Sequence, residues 1–319
     1  MRSFKKIFCL LAVLNIAFIS CQKDFTVEEE IDPPVIVNDS NYLDKVYHVF
    51  SNGTVSDTFI TQLYQYDANK RVTAIDVTEV PSLLHPGFIY NTRQKWLFQY
   101  NGTQLLPLET QYILDLVAPS SSSADTIHTY HFFNAAGKKT RDSVVAENHS
   151  ITAASGEYFT IEKLVTNYTY AGNNVYALSN STITHIIPAQ PDETYALRDT
   201  IVTDSRGNAV SWLNYYVGFD TPLNDEFYAY ESSVSPMQKL NINKALPLAA
   251  VDTTIYPVTQ TYNNRIRSTW RNIGSPDQFQ DLAGKYILNA AGFPAQINMG
   301  PNTDFPALHY RIFFVYRHF

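Results

Sequence analysis

The stretch YQYDANKRVTAI, Tyr64–Ile75, reads as one β-hairpin. Tyr64 and Tyr66 fall on one face of a strand, because successive strand side chains point to opposite sides. Asp67-Ala68-Asn69-Lys70 closes a tight turn, and Val72 and Ile75 open the return strand. An Asp or Asn at the first position accepts hydrogen bonds from the turn backbone, and the fourth position takes the left-handed conformation that glycine adopts most easily. The same turn recurs at FFNAAGKK (132–139), VTDSRGNA (202–209) and ILNAAGFP (287–294). The paired positions are Asp67 and Lys70, Asn134 and Gly137, Asp204 and Gly207, and Asn289 and Gly292, with lysine in place of glycine in the first copy only. YNGTQ (100–104) and YAGNN (170–174) are shorter turns of the same kind.

The spacing is regular: 34 residues from Asp67 to Asn101, 33 to Asn134, 37 to Ala171 and 33 to Asp204. Midway lie PSLLHPG (81–87), APSSSSAD (118–125), ENHSITAASG (147–156) and PAQPDE (188–193), which read as longer loops. A fixed period of this length marks a repeat architecture. Strands then run up and down, with tight turns at one end and long loops at the other. About fourteen strands cannot remain one flat sheet. The expected fold is all-β, a long antiparallel up-and-down meander of hairpin repeats forming a strongly curved or half-open barrel-like sheet. The 22 tyrosines and 19 phenylalanines suit strands.

After Asp204 the regularity breaks. Ser235 as N-cap, Pro236 at the first helical position and Gln238 closing a capping box predict one short inserted helix, about 235–245, running from Pro236 to about Ala245. Strands resume at TTIYPVTQTY (253–262) and RIRSTW (265–270), and the chain ends on LHYRIFFVYRHF (308–319). Alternating back from Phe319 meets Arg317, Arg311 and His309, which argues against a lipid-facing barrel strand.

YDANKRVTAI is similar to the YD hairpin of Rhs-type repeats at Tyr66, Asp67, Arg71, Val72 and Ile75, and departs from it at Lys70. The N-terminus adds a second resemblance. Arg2, Lys5 and Lys6 precede the apolar run IFCLLAVLNIAFI (7–19), the pattern of a secretory signal peptide. The run is shorter than the roughly 20 residues a spanning helix needs. Phe18-Ile19-Ser20-Cys21 resembles the bacterial lipobox, with Phe18 where leucine is usual. That resemblance implies fatty acylation of Cys21 and removal of residues 1–20, so that the membrane itself becomes a partner. Cys9 would leave with the signal, and the mature chain would hold no disulfide.

Together the lipobox and the hairpins resemble a family of Bacteroidetes outer-membrane lipoproteins of unknown function built from YD/Rhs-like repeats. The resemblance loosely spans about 60–300 and implies fold and location but no established activity. The expected organisation is a signal peptide at 1–20, an acidic flexible tether at 21–40 and a single β-hairpin-repeat domain at 41–319. The "QKD" of 22–24 also resembles the signal that carries such lipoproteins to the cell surface, although Phe25 interrupts it. Surface display is the expectation, and a periplasm-facing anchor is the alternative.

Net charge −7 and pI near 5.6 exclude a nucleic-acid partner, because no basic stripe is available for phosphates. His128 and His131, three apart, project to opposite strand faces and cannot share a metal. Glu157 and Glu162, five apart, are separated in the same way. No nucleophile elbow, HExxH pair or phosphate-cradling glycine loop occurs. Neither catalytic residue nor cofactor nor metal is expected, and the chain does not read as an enzyme. Asp125, Asp142, Asp199 and Asp252, each before Ser or Thr, resemble the Bacteroidetes O-glycosylation acceptor. Loops at one end of a rigid sheet are where recognition usually sits. The nearby aromatics Phe88, Tyr90, Tyr158 and Tyr195 are therefore candidates for stacking on sugars or docking peptides. The expected function is a non-catalytic surface binding module for a glycan or protein ligand. The alternative is a scaffold lipoprotein that organises an outer-membrane partner.

Overall fold

Alternation between the two faces of each strand governs the architecture. The computed structural model describes residues 42–85, 91–118, 121–154, 156–246, 263–271, 278–281, 285–301 and 308–319. The strands in the first half are β1 (Tyr42–Ser51), β2 (Ser56–Tyr66), β3 (Val72–Glu79), β4 (Asn91–Gln99), β5 (Glu109–Ala118), β6 (Ser121–Phe133), β7 (Lys139–Thr152) and β8 (Gly156–Ala171). They continue as β9 (Asn174–Ile187), β10 (Gln190–Thr203), β11 (Ala209–Tyr216), β12 (Asn224–Val234), β13 (Asn263–Arg271), β14 (Gln278–Asp281), β15 (Tyr286–Leu288), β16 (Pro294–Pro301) and β17 (His309–Arg317).

Every strand from β1 to β13 pairs antiparallel with the next. At the other edge β15 pairs with β16, β16 with β17, and β17 with β1. The first and last strands are thus neighbours. Among the described residues no pairing joins β14 to β15, so the single sheet is unclosed there.

The four long turns share one hydrogen-bond pattern. The first side chain accepts from the backbone N–H groups two and four residues on: Asn69 and Arg71 for Asp67, Ala136 and Lys138 for Asn134, Arg206 and Asn208 for Asp204, Ala291 and Phe293 for Asn289. The fourth residue has positive φ: 71° at Gly137, 92° at Gly207, 80° at Gly292 and 61° at Lys70. The tyrosine preceding a tight turn often reaches sideways to the neighbouring hairpin. Tyr66 Oη donates to Leu43 O (2.6 Å), Tyr100 Oη to Val72 O (2.5 Å) and Tyr170 Oη to Lys139 O (2.8 Å). Each such tyrosine ties one hairpin to the one before it.

Two sequence expectations are corrected. The segments 118–125, 147–156 and 188–193 are not long loops. Most of each is strand, and the ladders run on through Ala118↔Ser121, Thr152↔Gly156 and Gln190↔His185. Runs rich in Ser, Thr and Asn lack the apolar alternation that marks a strand, but their backbones pair across the hairpin regardless. The predicted helix at 235–245 is instead two 3-10 turns, Pro236–Lys239 and Asn241–Ala245. Ser235 does cap the first, its Oγ accepting from Met237 N at 3.2 Å. Leu240 breaks the run because it is extended (φ −79°, ψ 123°) and buried. Asn241 makes tertiary hydrogen bonds that a continuous helix would redirect.

The sheet curls around this insertion. Asn241 Oδ1 accepts from Val72 N on β3 (3.0 Å), its Nδ2 donates to Tyr100 Oη (2.7 Å) and Leu105 O (2.7 Å), and Lys139 Nζ on β7 donates to Ala245 O (2.7 Å). On the other side Lys239 Nζ lies 5.6 Å from the centre of the Phe293 ring, in the β15–β16 turn. One ten-residue segment reaches hairpins from both halves of the ladder only if the sheet is strongly curved.

The concave face carries the main apolar core. Val46, Phe50, Phe59, Tyr64, Ile75 and Phe98 from the sheet pack with Met237, Leu240, Ile242 and Leu246 of the insertion and with Ile312 and Phe314 of β17. A smaller cluster joins Val175, Ile201, Ala209 and Tyr228. Exposed charges sit along the outer strand positions, including Arg93, Lys95, Arg141, Glu147, Lys163, Arg198 and Arg311.

Candidate functional site

Three tight turns and the insertion leave a cleft between them. It encloses about 970 Å³ and is lined by the β2–β3 turn (Asn69, Lys70, Arg71), the β4–β5 connection (Gln104, Leu105, Leu106, Leu108), the end of β6 with its turn (His131–Gly137), Tyr42, and the insertion (Gln238–Asn241, Asn243, Lys244). The volume is within the range of small-molecule sites, about 300–1,000 Å³. Its apolar part is open to water: Leu105, Leu108 and Phe132 are all exposed.

The walls are held in place. Arg71 bridges two turns, with Nε on Asp67 Oδ2 (2.7 Å) and Nη1 on the carbonyls of Gly102 (2.7 Å) and Gln104 (2.8 Å), while its guanidinium lies 4.4 Å from the centre of the Tyr100 ring. The three Asn241 bonds fix the insertion against the same two turns. Burial pushes the Tyr100 hydroxyl up to about 12, so it remains a protonated donor to Val72 O.

Behind the cleft floor lies a buried polar cluster. His131 Nδ1 is 2.8 Å from Asp142 Oδ1, and its Nε2 is 2.8 Å from Thr110 Oγ1. Lys139 Nζ (3.0 Å) and Tyr168 Oη (2.9 Å) both donate to Asp142 Oδ2. Burial lowers the pKa of His131, keeping the ring neutral near pH 7. Because a carboxylate only accepts, Nδ1 carries the proton and Nε2 accepts from Thr110. Burial raises the Asp142 pKa, but the His131 hydrogen bond and the Lys139 charge outweigh it and hold the group below its ordinary value. Burial likewise depresses Lys139.

The hydroxyl–imidazole–carboxylate connectivity is that of a hydrolytic triad. Here the hydroxyl belongs to a buried threonine that does not line the cleft. The cluster therefore works as a lock, joining β5, β6, β7 and β8 to the insertion through Lys139. His128 projects to the other face, 2.7 Å from Glu109 Oε1. Among the described residues no group of three or more His, Cys, Asp or Glu is placed to hold a metal ion.

The aromatics named from sequence lie elsewhere. Phe88, Tyr90 and Cys21 fall outside the described residues. Tyr158 and Tyr195 share the concave face toward the end opposite the cleft. Tyr158 Oη is 3.5 Å from His185 Nδ1, and His185 Nε2 is 3.1 Å from Glu193 Oε1. Glu162 Oε1 accepts from Tyr195 Oη and Ser181 Oγ, each at 2.6 Å. Tyr195 meets Tyr216 edge-on (6.2 Å), and Tyr216 meets Phe219 (6.3 Å). Glu157 points to the outer face, to His149 (2.9 Å), so the two glutamates do not converge.

Sequence reasoning did not find the cleft. Its one local signal is the lysine where the other three turns have glycine.

No protein-family model matches this chain, and no curated protein matches it. Among solved structures it is similar to a porin-like protein from Bacteroides vulgatus ATCC 8482, with a TM-score of 0.44 and 14% identity over 87% of this chain and 99% of that one.

Proposed function

We propose that the chain is a lipid-anchored binding module of the cell envelope, without chemistry of its own, and that the tight-turn cleft is its ligand seat. The carrying observation is that cleft: about 970 Å³, with apolar side chains open to water and walls pre-set by Arg71 and Asn241. Preformed walls reduce the ordering cost of binding. The resemblance of 18–21 to a lipobox and of 66–75 to the YD hairpin supports the envelope setting. The face with Tyr158, Tyr195 and Tyr216 is a second surface suited to stacking on a glycan.

The test uses the neutral fluorophore N-phenyl-1-naphthylamine with the full chain and with Ala136→Trp, which fills the cleft from an exposed turn position. Saturable fluorescence that disappears in Ala136→Trp supports the seat, and equal signal in both removes it.

A scaffold role has one observation of its own. Tyr42 lines the cleft and stacks edge-on with Phe319 at 5.0 Å, so both ends of the described chain meet at the cleft. Acylated Cys21 would tether this end of the sheet at a reach of at most about 75 Å, bringing the cleft within range of a membrane partner. Protease shaving of intact cells beside a Cys21→Ala strain separates the readings. Loss of the protein favours surface capture, protection favours the periplasmic scaffold, and a Cys21→Ala protein that stays membrane-bound removes the lipid anchor.

A further inference from the structure

We propose that the cleft takes an anionic amphiphile, a phosphomonoester head on an apolar body, and that Lys70 is the cation that selects it. This rests on the reading of the cleft as a ligand seat and adds the chemistry of the ligand.

The first observation is charge. The chain has 30 acidic against 23 basic residues. The cleft reverses that balance: Lys70, Arg71, Lys239 and Lys244 line it, and no Asp or Glu is among its described lining residues. Asp67 meets the charge of Arg71 from outside the lining, at 2.6 Å. Lys70 and Lys244 are both exposed, one on the β2–β3 turn and one on the insertion. A site walled by cations in an otherwise acidic molecule favours an anion.

The second observation is conformational and independent of the first. Lys70 has φ 61°, and among the described residues it is the only one other than glycine with positive φ. Side-chain-bearing residues pay for that conformation, whereas glycine does not. The three sister turns use glycine at this place, and the turn hydrogen bonds are the same in all four. The turn itself gains nothing from the lysine. Strain retained at one residue beside a cavity points to a use for its side chain. Contact with Tyr42 and Phe319 is the competing use, since Lys70 Nζ lies 5.9 Å from the ring centres of both. A phosphate is a stronger partner for an exposed ammonium than two distant ring faces.

The third observation sets the rest of the ligand. Leu105, Leu106, Leu108 and Phe133 supply an apolar wall, with Leu105 66% exposed in this structure. An inorganic anion would leave that wall wet, and a neutral lipid would bring no charge to Lys70 and Lys244. An apolar body bearing a charged head meets both.

The experiment is calorimetric titration of the full-length chain with dihexanoyl phosphatidate, dihexanoyl phosphatidylcholine and inorganic phosphate, repeated with Lys70→Gly and Lys244→Met. Phosphatidate should bind at least tenfold more tightly than either of the others. Lys70→Gly should weaken phosphatidate at least tenfold while its melting temperature stays level or rises, because it restores the glycine of the sister turns. Lys244→Met should weaken binding without unfolding the chain. Equal binding of the two lipids overturns anion selection and leaves the seat standing. Equal binding of free phosphate overturns the apolar body. A Lys70→Gly chain that melts lower and binds unchanged makes Lys70 a structural residue and overturns its role. Absence of lipid binding together with absence of naphthylamine binding removes the seat itself.

Discussion

His48 is fully enclosed, its ring centre 6.2 Å from that of Phe59 and 5.9 Å from that of Tyr310, with Nδ1 2.6 Å from Tyr310 Oη. Burial lowers its pKa to about 3, against 6.5 when the chain is unfolded. The folded state holds it neutral, so the unfolded state takes up the proton first as pH falls. Its contribution is intact above pH 6.5 and is lost by about 1.4 kcal/mol per pH unit from there towards pH 3. Urea midpoints measured between pH 7 and 4.5 should therefore fall steadily. His48→Gln, neutral throughout and still able to bond Tyr310, should flatten most of that slope. His131, shifted the same way by burial, leaves a remainder. An unchanged slope in His48→Gln would show that the proton is taken up elsewhere. Lys139 is the second sensitive residue, because it bonds both Asp142 and the carbonyl of Ala245. Lys139→Ala takes the ammonium from a buried carboxylate, leaving it to His131 and Tyr168, and cuts one tie to the insertion at the same time. Breaking a buried pair this way should cost about 3–5 kcal/mol in chemical denaturation, and a loss below about 1 kcal/mol would mean that water replaces the ammonium.

At the scale of the element, the turns were legible in the sequence and the connections between hairpins were not. Asp67, Asn134, Asp204 and Asn289 act on backbone groups two and four residues away, a local chemistry that spacing exposes directly. The sideways bonds of Tyr66, Tyr100 and Tyr170 span 23 to 31 residues, and nothing in a strand-like tyrosine announces them. Tyr100→Phe should cost about 1–3 kcal/mol, since Val72 O is left without its hydroxyl donor. Differential scanning calorimetry reads this, and a neutral result would show that water supplies the bond. The Ser-rich stretch at 118–125 reads as a loop for a related reason. Ser121, Ser122 and Ser123 bring no apolar alternation, yet their backbones pair with Thr152, Ile151 and Ser150. The insertion at 235–245 offered helix-capping residues, but Asn241 binds three partners on two hairpins, and these long-range bonds override the local preference.

For the whole molecule, curvature followed from strand number and was readable. The cleft was not, because it arises where three turns and one insertion far apart in sequence converge. The adjacency of the start of β1 to Phe319 has a measurable consequence. With Tyr42 and Phe319 ring centres 5.0 Å apart, a short linker can join them. A permuted strand domain opened between Ala153 and Ala154, in the connection from β7 to β8, should unfold cooperatively with an unchanged far-ultraviolet spectrum. Loss of cooperativity would show that the β1–β17 ladder depends on free ends.

The same adjacency sets an order of events for a nascent chain. Asp44 waits for Arg317, 273 positions later, before its side chain finds its partner. Until then β1 is held by β2 on one side only, and the groups that β17 will cover, from Tyr42 to Ser51, remain an open edge. An open edge invites pairing with other chains. The polypeptide thus keeps an aggregation-prone edge until β17 arrives, and any product that stops short of His309 keeps that hazard for its lifetime.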